Sequence, residues 1–114
     1  MPDGYFMTSA TITPVETAKG IHRRTMGTTD EAMLCEFTLN KGAEVRRHNH
    51  MNDQVGYVVK GKLALTIGEE TCIVVAGDSY AIPGGIFHSA QVLEDTVTID
   101  VFSPPREDYR TEAR

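Results

Sequence analysis

The chain has 114 residues, of which 40% are hydrophobic and 24% charged, and its formal net charge is −5. This length allows one domain, and no segment approaches the ~20 consecutive apolar residues of a membrane-spanning helix. The negative charge argues against the broad basic surface that nucleic-acid binding requires. We therefore expect one core and one site, with no nucleic-acid or membrane partner.

The first stretch of the chain, residues 1–20, has no strong hydrophobic periodicity. We expect it to be a tail or a strand that pairs only with another subunit, followed by a single domain over residues 21–114. Its first ten residues lack the basic flank and apolar run of a secretory signal, which predicts a cytoplasmic protein. A small barrel with such a segment often completes its sheet across a two-fold axis, so we also expect a homodimer.

From residue 33 onward, apolar and polar residues alternate over short runs that end at glycine, Asp or Pro turns. Alternation of this kind predicts antiparallel strands, here over residues 33–39, 43–50, 54–60, 62–67, 71–75, 79–82, 87–93 and 96–102. Gly61 is interpreted as the break of a hairpin, and Glu94-Asp95 as the connection between the last two strands. Roughly eight short strands and almost no helix indicate an all-β sandwich or barrel.

Cys35 and Cys72 both lie within alternating apolar stretches. Free thiols in such positions behave as small hydrophobic residues more often than as disulfide partners or metal ligands. We expect both to be structural.

Three of the four histidines, His48, His50 and His88, lie in or beside predicted strands. His48 and His50 are two residues apart, so on a strand both side chains leave one face and can reach one ion. Gln54 follows after a polar connection and can add an amide oxygen, while His88 comes from a distant strand. The pattern predicts one divalent metal ion on these four residues. The alternative is a group of buried, hydrogen-bonded core histidines; His22, outside the pattern, is expected at the surface.

The predicted ligands are all neutral, which leaves the full charge of a dication to act on whatever occupies its open positions. Carboxylate or enolate ligands are favoured there. Neutral nitrogen and oxygen donors select weakly among transition metals, so zinc, nickel, iron, manganese and copper all remain possible.

The last predicted strand alternates between two faces. One face carries Thr96, Thr98, Asp100 and Phe102, and the other carries Val97, Ile99 and Val101. Asp100 either looks into a pocket or looks out at solvent while the aliphatic residues fill the core. Alternation alone does not separate the two, although Phe102 on the same face favours the inward orientation.

The spacing of glycines and ligands resembles the two sequence motifs of the cupin family. The first motif is Gly42, five residues, His48-Asn49-His50, three residues, Gln54, six residues and Gly61; the second is Gly77, five residues, Pro83-Gly84-Gly85, two residues and His88. The resemblance implies a double-stranded β-helix, a jelly-roll-like barrel. It also reveals a departure, because Gln54 stands where most cupins have glutamate.

The C-terminal residues Asp100, Phe102 and Arg106, with Ser103-Pro104-Pro105 between them, resemble the end of the KdgF-type cupins. Proteins of that group linearise unsaturated uronates produced by pectin and alginate lyases. The resemblance implies a 4,5-unsaturated monouronate as substrate and its open-chain keto form as product. Asp100 would be the base and proton carrier, Arg106 would grip the substrate carboxylate, and Phe102 would stack on or wall the sugar ring. Arg46, with the strand parity of His48, is a second and weaker carboxylate candidate.

Two other functions fit the same residues. An iron-dependent dioxygenase or other oxidative cupin can also use three histidines. A non-catalytic cupin that binds sugar or metal is the third possibility. Oxygen consumption would identify an oxidative cupin. Binding of the ligand without formation of a product would identify a non-catalytic one.

Overall fold

The computed structural model describes residues 4–112. Residues 1–3 of the predicted N-terminal segment and residues 113–114 of the predicted domain lie outside the described residues. The described elements, in chain order, are β1 (Val15–Ala18), β2 (Ile21–Thr28), β3 (Met33–Leu39), β4 (Glu44–His48), β5 (Asp53–Ile67), β6 (Glu70–Val75), β7 (Ser79–Ile82), β8 (His88–Ser103) and α1 (Glu107–Glu112). The described part of the chain is therefore all-β apart from one short helix, which confirms the predicted fold class.

Two long strands, β5 and β8, hold the antiparallel sheet together. They pair with each other from Asp53↔Ser103 to Ile67↔His88. The second half of β8 also pairs with β3, and β2 and β1 follow outward from β3. The first half of β8 pairs with β4. The first half of β5 pairs with β7, and the second half of β5 pairs with β6. The sheet thereby folds over on itself and encloses a cavity.

The hairpin predicted at Gly61 is wrong, because β5 continues through this residue. The β5–β8 register shifts on both sides of residue 61, and Gly61 has a φ of +102°. A Cβ there would overlap Thr96 of the neighbouring strand, so glycine allows a bend with the strands in close contact. The predicted break at Glu94-Asp95 is also absent, since β8 runs through both residues.

The N-terminal segment contains a strand that pairs within its own chain. Residues 15–18 form β1, which lies antiparallel to β2. For these residues the expectation of a tail or an intersubunit strand is corrected. Strand β2, which the sequence analysis did not identify, alternates between buried and half-buried residues from Ile21 to Thr25. The boundary at residue 20 remains a prediction.

The helix α1 was also not predicted. It is only six residues long, too short to give a periodic hydrophobic signal in the sequence. Its Tyr109 packs against Phe37 and Phe102 with ring centroids 6.2 and 5.5 Å apart, so α1 covers part of the sheet interior. None of the helices in residues 4–112 has the length and apolar character needed to cross a membrane.

The two cysteines are free, but they differ in environment. Cys35 is buried beside Thr25, and burial raises the pKa of its thiol to about 11, which keeps it protonated at neutral pH. Cys72 is exposed on β6, so it is not the buried hydrophobic residue that the alternating pattern suggests. His22 is half-exposed on β2 and lies 3.9 Å from Glu16, away from the other three histidines.

Candidate metal centre and active site

Three histidine rings converge at one end of the sheet interior. His48 ends β4 and is paired with His88, the first residue of β8, while His50 lies in the connection before β5. One ring nitrogen from each lies within 4.8 Å of the others, and the ring centroids are 4.3 to 5.7 Å apart. The shared strand predicted for His48 and His50 ends at His48, and His50 lies two residues beyond it with its ring centre 5.7 Å from that of His48.

Each of the three rings is oriented by a hydrogen bond to the backbone. Nδ1 of His48, His50 and His88 lies 2.8 to 3.1 Å from the carbonyl oxygens of Arg46, Asn52 and Ile86 respectively. A carbonyl oxygen can only accept, so Nδ1 carries the proton in each ring and Nε2 presents its lone pair. Backbone support of this kind is how proteins orient histidine ligands of metals.

The pKa values of His50 and His88 also suit the binding of a cation. Burial lowers the pKa of His50, and the Arg106 guanidinium lowers it further. The pKa of His88 is lowered by burial first, with smaller effects from the other two histidines and Arg106. The neutral forms of His50 and His88 are therefore favoured, and neutral imidazole is the form that binds a metal ion.

Gln54, in β5, has an amide whose orientation is fixed by its neighbours. Its Nε2 donates to Oδ2 of Asp100 over 2.6 Å, which leaves Oε1 facing Nε2 of His50 at 3.1 Å. Two ligand atoms that share a cation at about 2.1 Å each lie roughly 3 to 3.4 Å apart at ordinary coordination angles. The donor set and this spacing fit a divalent metal ion on His48, His50, Gln54 and His88.

Asp100 faces the interior of the sheet and is only 2% exposed. Its carboxylate accepts hydrogen bonds from Gln54 Nε2 and from the hydroxyl of Tyr80. Burial raises the pKa of Asp100, and these hydrogen bonds oppose the increase in part. The structure thus decides the orientation that alternation left open: the threonines, Asp100 and Phe102 face inward, and the aliphatic residues face outward.

Arg106 lies between the end of β8 and α1. Its Nη2 donates to Asp108 over 3.1 Å, and its guanidinium carbon lies 4.0 Å from the ring centre of Tyr109 and 5.7 Å from that of Phe102. Phe102 is 1% exposed and packs against His50 with 5.7 Å between ring centres. Phe102 is therefore placed to form a wall of the site beneath the histidines.

Arg46 does not share the strand parity predicted for it. The β4–β8 register shifts between Val45↔Ala90 and His48↔His88, which places an extra residue on β4. Arg46 itself is exposed, although it reaches the mouth of the cavity.

The cavity has a volume of about 1210 Å³ and brings most of the predicted site residues together. Those that line it are Arg46, His48, Gln54, His88, Asp100, Phe102 and Arg106. His50 is placed beside it, against Phe102. A single pocket thus contains neutral metal-ligand candidates, the buried carboxylate of Asp100 and three arginines, Arg23, Arg46 and Arg106.

Sequence reasoning missed three residues that support this site. The hydroxyl of Tyr80 donates to Asp100. The side chain of Asn52 donates to the carbonyl oxygens of Pro104 and Pro105, and so joins the β4–β5 connection, which carries His50, to the segment before Arg106. The buried Arg23 lies with its guanidinium carbon 4.0 Å from the ring centre of Tyr109 and donates to Thr25. Arg23 lies in β2 between the buried residues Ile21 and Thr25, and this alternation in the sequence could have indicated a strand with Arg23 on its inner face. Asn52 and Tyr80 offered no such signal, because their partners are 20 or more residues away along the chain.

Comparison with known proteins gives a consistent result. Residues 35–102 match the family described as the cupin domain. The pectin degradation protein KdgF of Dickeya dadantii is 34% identical over 96 residues, which cover 82% of this chain and 87% of that protein.

Solved structures resemble the whole described fold. The structure of KdgF from Halomonas sp. has a TM-score of 0.87 and 31% identity, covering 93% of this chain and 98% of that one. An RmlC-like cupin from Shewanella frigidimarina has a TM-score of 0.89 and 31% identity, with coverage of 94% and 96%.

Proposed function

The chain belongs to the cupin family, and from this premise we propose that it is a metal-dependent enzyme that opens 4,5-unsaturated monouronates to their keto form. Such compounds arise from the breakdown of pectin or alginate. The relative from Dickeya dadantii is named for pectin degradation, which supports this substrate class. The observation that carries the proposal is the buried carboxylate of Asp100, which lines the same cavity as the histidine cluster and is joined to it through Gln54.

The candidate ligands are His48, His50, Gln54 and His88. A divalent ion held there would supply Lewis acidity toward a carboxylate or enolate oxygen, at full charge because all four ligands are neutral. Zinc, nickel, iron, manganese and copper all suit such a donor set.

Asp100 would move the protons. The substrate is both an enol ether and a hemiacetal, so opening it removes the proton of the anomeric hydroxyl, breaks the bond from the anomeric carbon to the ring oxygen, and protonates a ring carbon. One carboxylate can take the first proton and deliver it to carbon, which balances the reaction without any other reagent. Burial raises the pKa of Asp100, which makes its carboxylate a stronger base than an exposed aspartate.

Arg106 would hold the substrate carboxylate. A guanidinium pairs with a carboxylate through two parallel hydrogen bonds, and Arg106 lines the cavity close enough to affect the pKa of both His50 and His88. Phe102 would wall the sugar ring. Arg46, at the mouth, remains a weaker candidate for the same carboxylate.

The test is turnover of an unsaturated monouronate, prepared by lyase digestion, by the metal-loaded protein. We expect the absorbance of the conjugated double bond to disappear and a keto product to form. Asp100→Asn and Arg106→Ala should each lower kcat/KM at least about 100-fold with metal content unchanged. The exposed Arg47→Ala is the matched arginine control and should retain activity.

Two outcomes would reject the proposal. Oxygen consumption that depends on iron would favour the oxidative alternative. Binding of the uronate without product, in the wild type at full metal occupancy, would favour a non-catalytic binder.

A further inference from the structure

Tyr80 is a cavity residue with no part in the chemistry proposed above. It lies in β7, is half-buried, and its hydroxyl donates to both carboxylate oxygens of Asp100 at 2.9 Å. Gln54 donates to one of the same oxygens. Asp100 is thus held by hydrogen-bond donors from two other strands.

The strand register explains how Tyr80 reaches Asp100. Tyr80 is paired with Gly56, and Gly56 with Asp100, so the three residues form one row across β7, β5 and β8. A Cβ added to Gly56 would overlap the Tyr80 ring. The ring therefore lies over the glycine and crosses the central strand. Any larger residue at position 56 would close this path.

A proton carrier needs a fixed orientation. The terminal torsion of an aspartate is broad, so the plane of its carboxylate is set by the donors around it. A misplacement of about 1 Å in a reacting group can cost roughly 100-fold in rate. Burial and the charge of Asp100 raise the pKa of Tyr80, so its hydroxyl remains a donor at neutral pH.

We propose that Tyr80 is a positioning residue that fixes the plane of the Asp100 carboxylate toward the substrate, and that Gly56 provides the space for its ring. The kinetic part of this inference rests on the proposed function. Its structural part is independent of it.

The decisive variant is Tyr80→Phe, which removes the hydroxyl and keeps the ring. In the metal-loaded protein, we expect kcat for an unsaturated monouronate to fall about 10- to 100-fold, as for other supporting residues of active sites. The KM should stay within about twofold, because Tyr80 does not grip the substrate. Gly56→Ala, which displaces the ring, should cause a similar fall. The combined variant should be no worse than Gly56→Ala alone, because both changes remove one contact.

Tyr57→Phe is the matched control, since Tyr57 lies on β5 next to Gly56 with its side chain half exposed on the outer face. It should keep wild-type kcat. High-resolution crystal structures of the wild type and Tyr80→Phe provide a readout that does not need activity. We expect one Asp100 conformer in the wild type and a rotated or divided carboxylate in the variant.

Wild-type kcat in Tyr80→Phe together with an unmoved carboxylate would overturn the inference. If the wild type does not open any uronate while the carboxylate rotates in Tyr80→Phe, the proposed function fails and the positioning role stands. Tyr80→Phe decides the matter even if Gly56→Ala does not fold.

Discussion

Gln54 provides an oxygen on one side, toward the histidine cluster, and a hydrogen-bond donor on the other, toward Asp100. Its amide oxygen faces His50 and its amide nitrogen donates to Asp100 over 2.6 Å. A glutamate at this position could supply the oxygen but not the donor, and its charge would face a second carboxylate. The need for a donor toward the buried carboxylate of Asp100 thus explains why glutamine replaces the glutamate of the common cupin pattern at this position.

Gln54→Glu tests that explanation at the residue scale. The two carboxylates would lie in contact, and one of them would hold a proton at neutral pH because like charges so close cannot both ionise. We expect turnover of the uronate to fall at least about 10-fold while affinity for the metal ion, measured by calorimetry, is retained or increased. Gln91→Glu is the matched control, since Gln91 also donates to a carboxylate, that of Glu44, but at an exposed position. Equal activity of Gln54→Glu and the wild type would contradict the explanation.

At the scale of elements, the bends in β5 and β8 decide where the site lies. Both strands continue through residues that resemble turns in the sequence, and each half pairs with different neighbours. One half of β5 carries Gln54 and Gly56 beside Asp100, while the other half leads back to His88 through Ile67↔His88. The bend therefore brings the histidine cluster and the carboxylate to one cavity.

Gly61→Ala tests the bend. The positive φ disfavours alanine, and its Cβ would overlap Thr96 and the backbone at Asp95. We expect the free energy of unfolding in urea to fall by at least about 2 kcal/mol. Gly27→Ala is the control, because Gly27 has an ordinary φ and no atom within 4 Å of an added Cβ. A Gly61→Ala variant as stable as Gly27→Ala would show that the bend does not require glycine.

At the scale of the whole molecule, the polarity of the second half of β8 is reversed relative to a simple core. From Thr96 onward, its inward face carries two threonines and Asp100 before Phe102, and its outward face is aliphatic. The outward residues Ile99 and Val101 of β8 are paired with apolar residues of the neighbouring strands β5 and β3, whose side chains are partly exposed. This outer apolar face consists of Leu34, Val55, Tyr57, Ile99 and Val101. Apolar faces of this kind commonly mark interaction surfaces.

The predicted homodimer can be tested on that face. Ile99→Glu would place a charge at its centre, so we expect light scattering to show a dimer for the wild type and a monomer for the variant. Leu93→Glu, on the same strand but outside the outer apolar face, should remain dimeric. A wild-type protein that is monomeric at micromolar concentration would reject the homodimer.

The sequence by itself determined the all-β class, the cupin resemblance and the four candidate ligands, because alternation and motif spacing are local properties. It also placed Asp100 and Phe102 on one face of their strand. It did not determine which face is inside, since alternation defines two faces without distinguishing them. The error at Gly61 has a related cause, because glycine permits both a turn and a bend.

Only the tertiary structure decided the contacts between strands. The bulge that shifts Arg46, the helix that carries Tyr109 and the row of Tyr80, Gly56 and Asp100 all depend on register between distant segments. Register is set by packing over the whole sheet. Tyr80 and Asp100 are 20 residues apart, and their hydrogen bond exists only because β5 lies between β7 and β8 with no side chain at position 56.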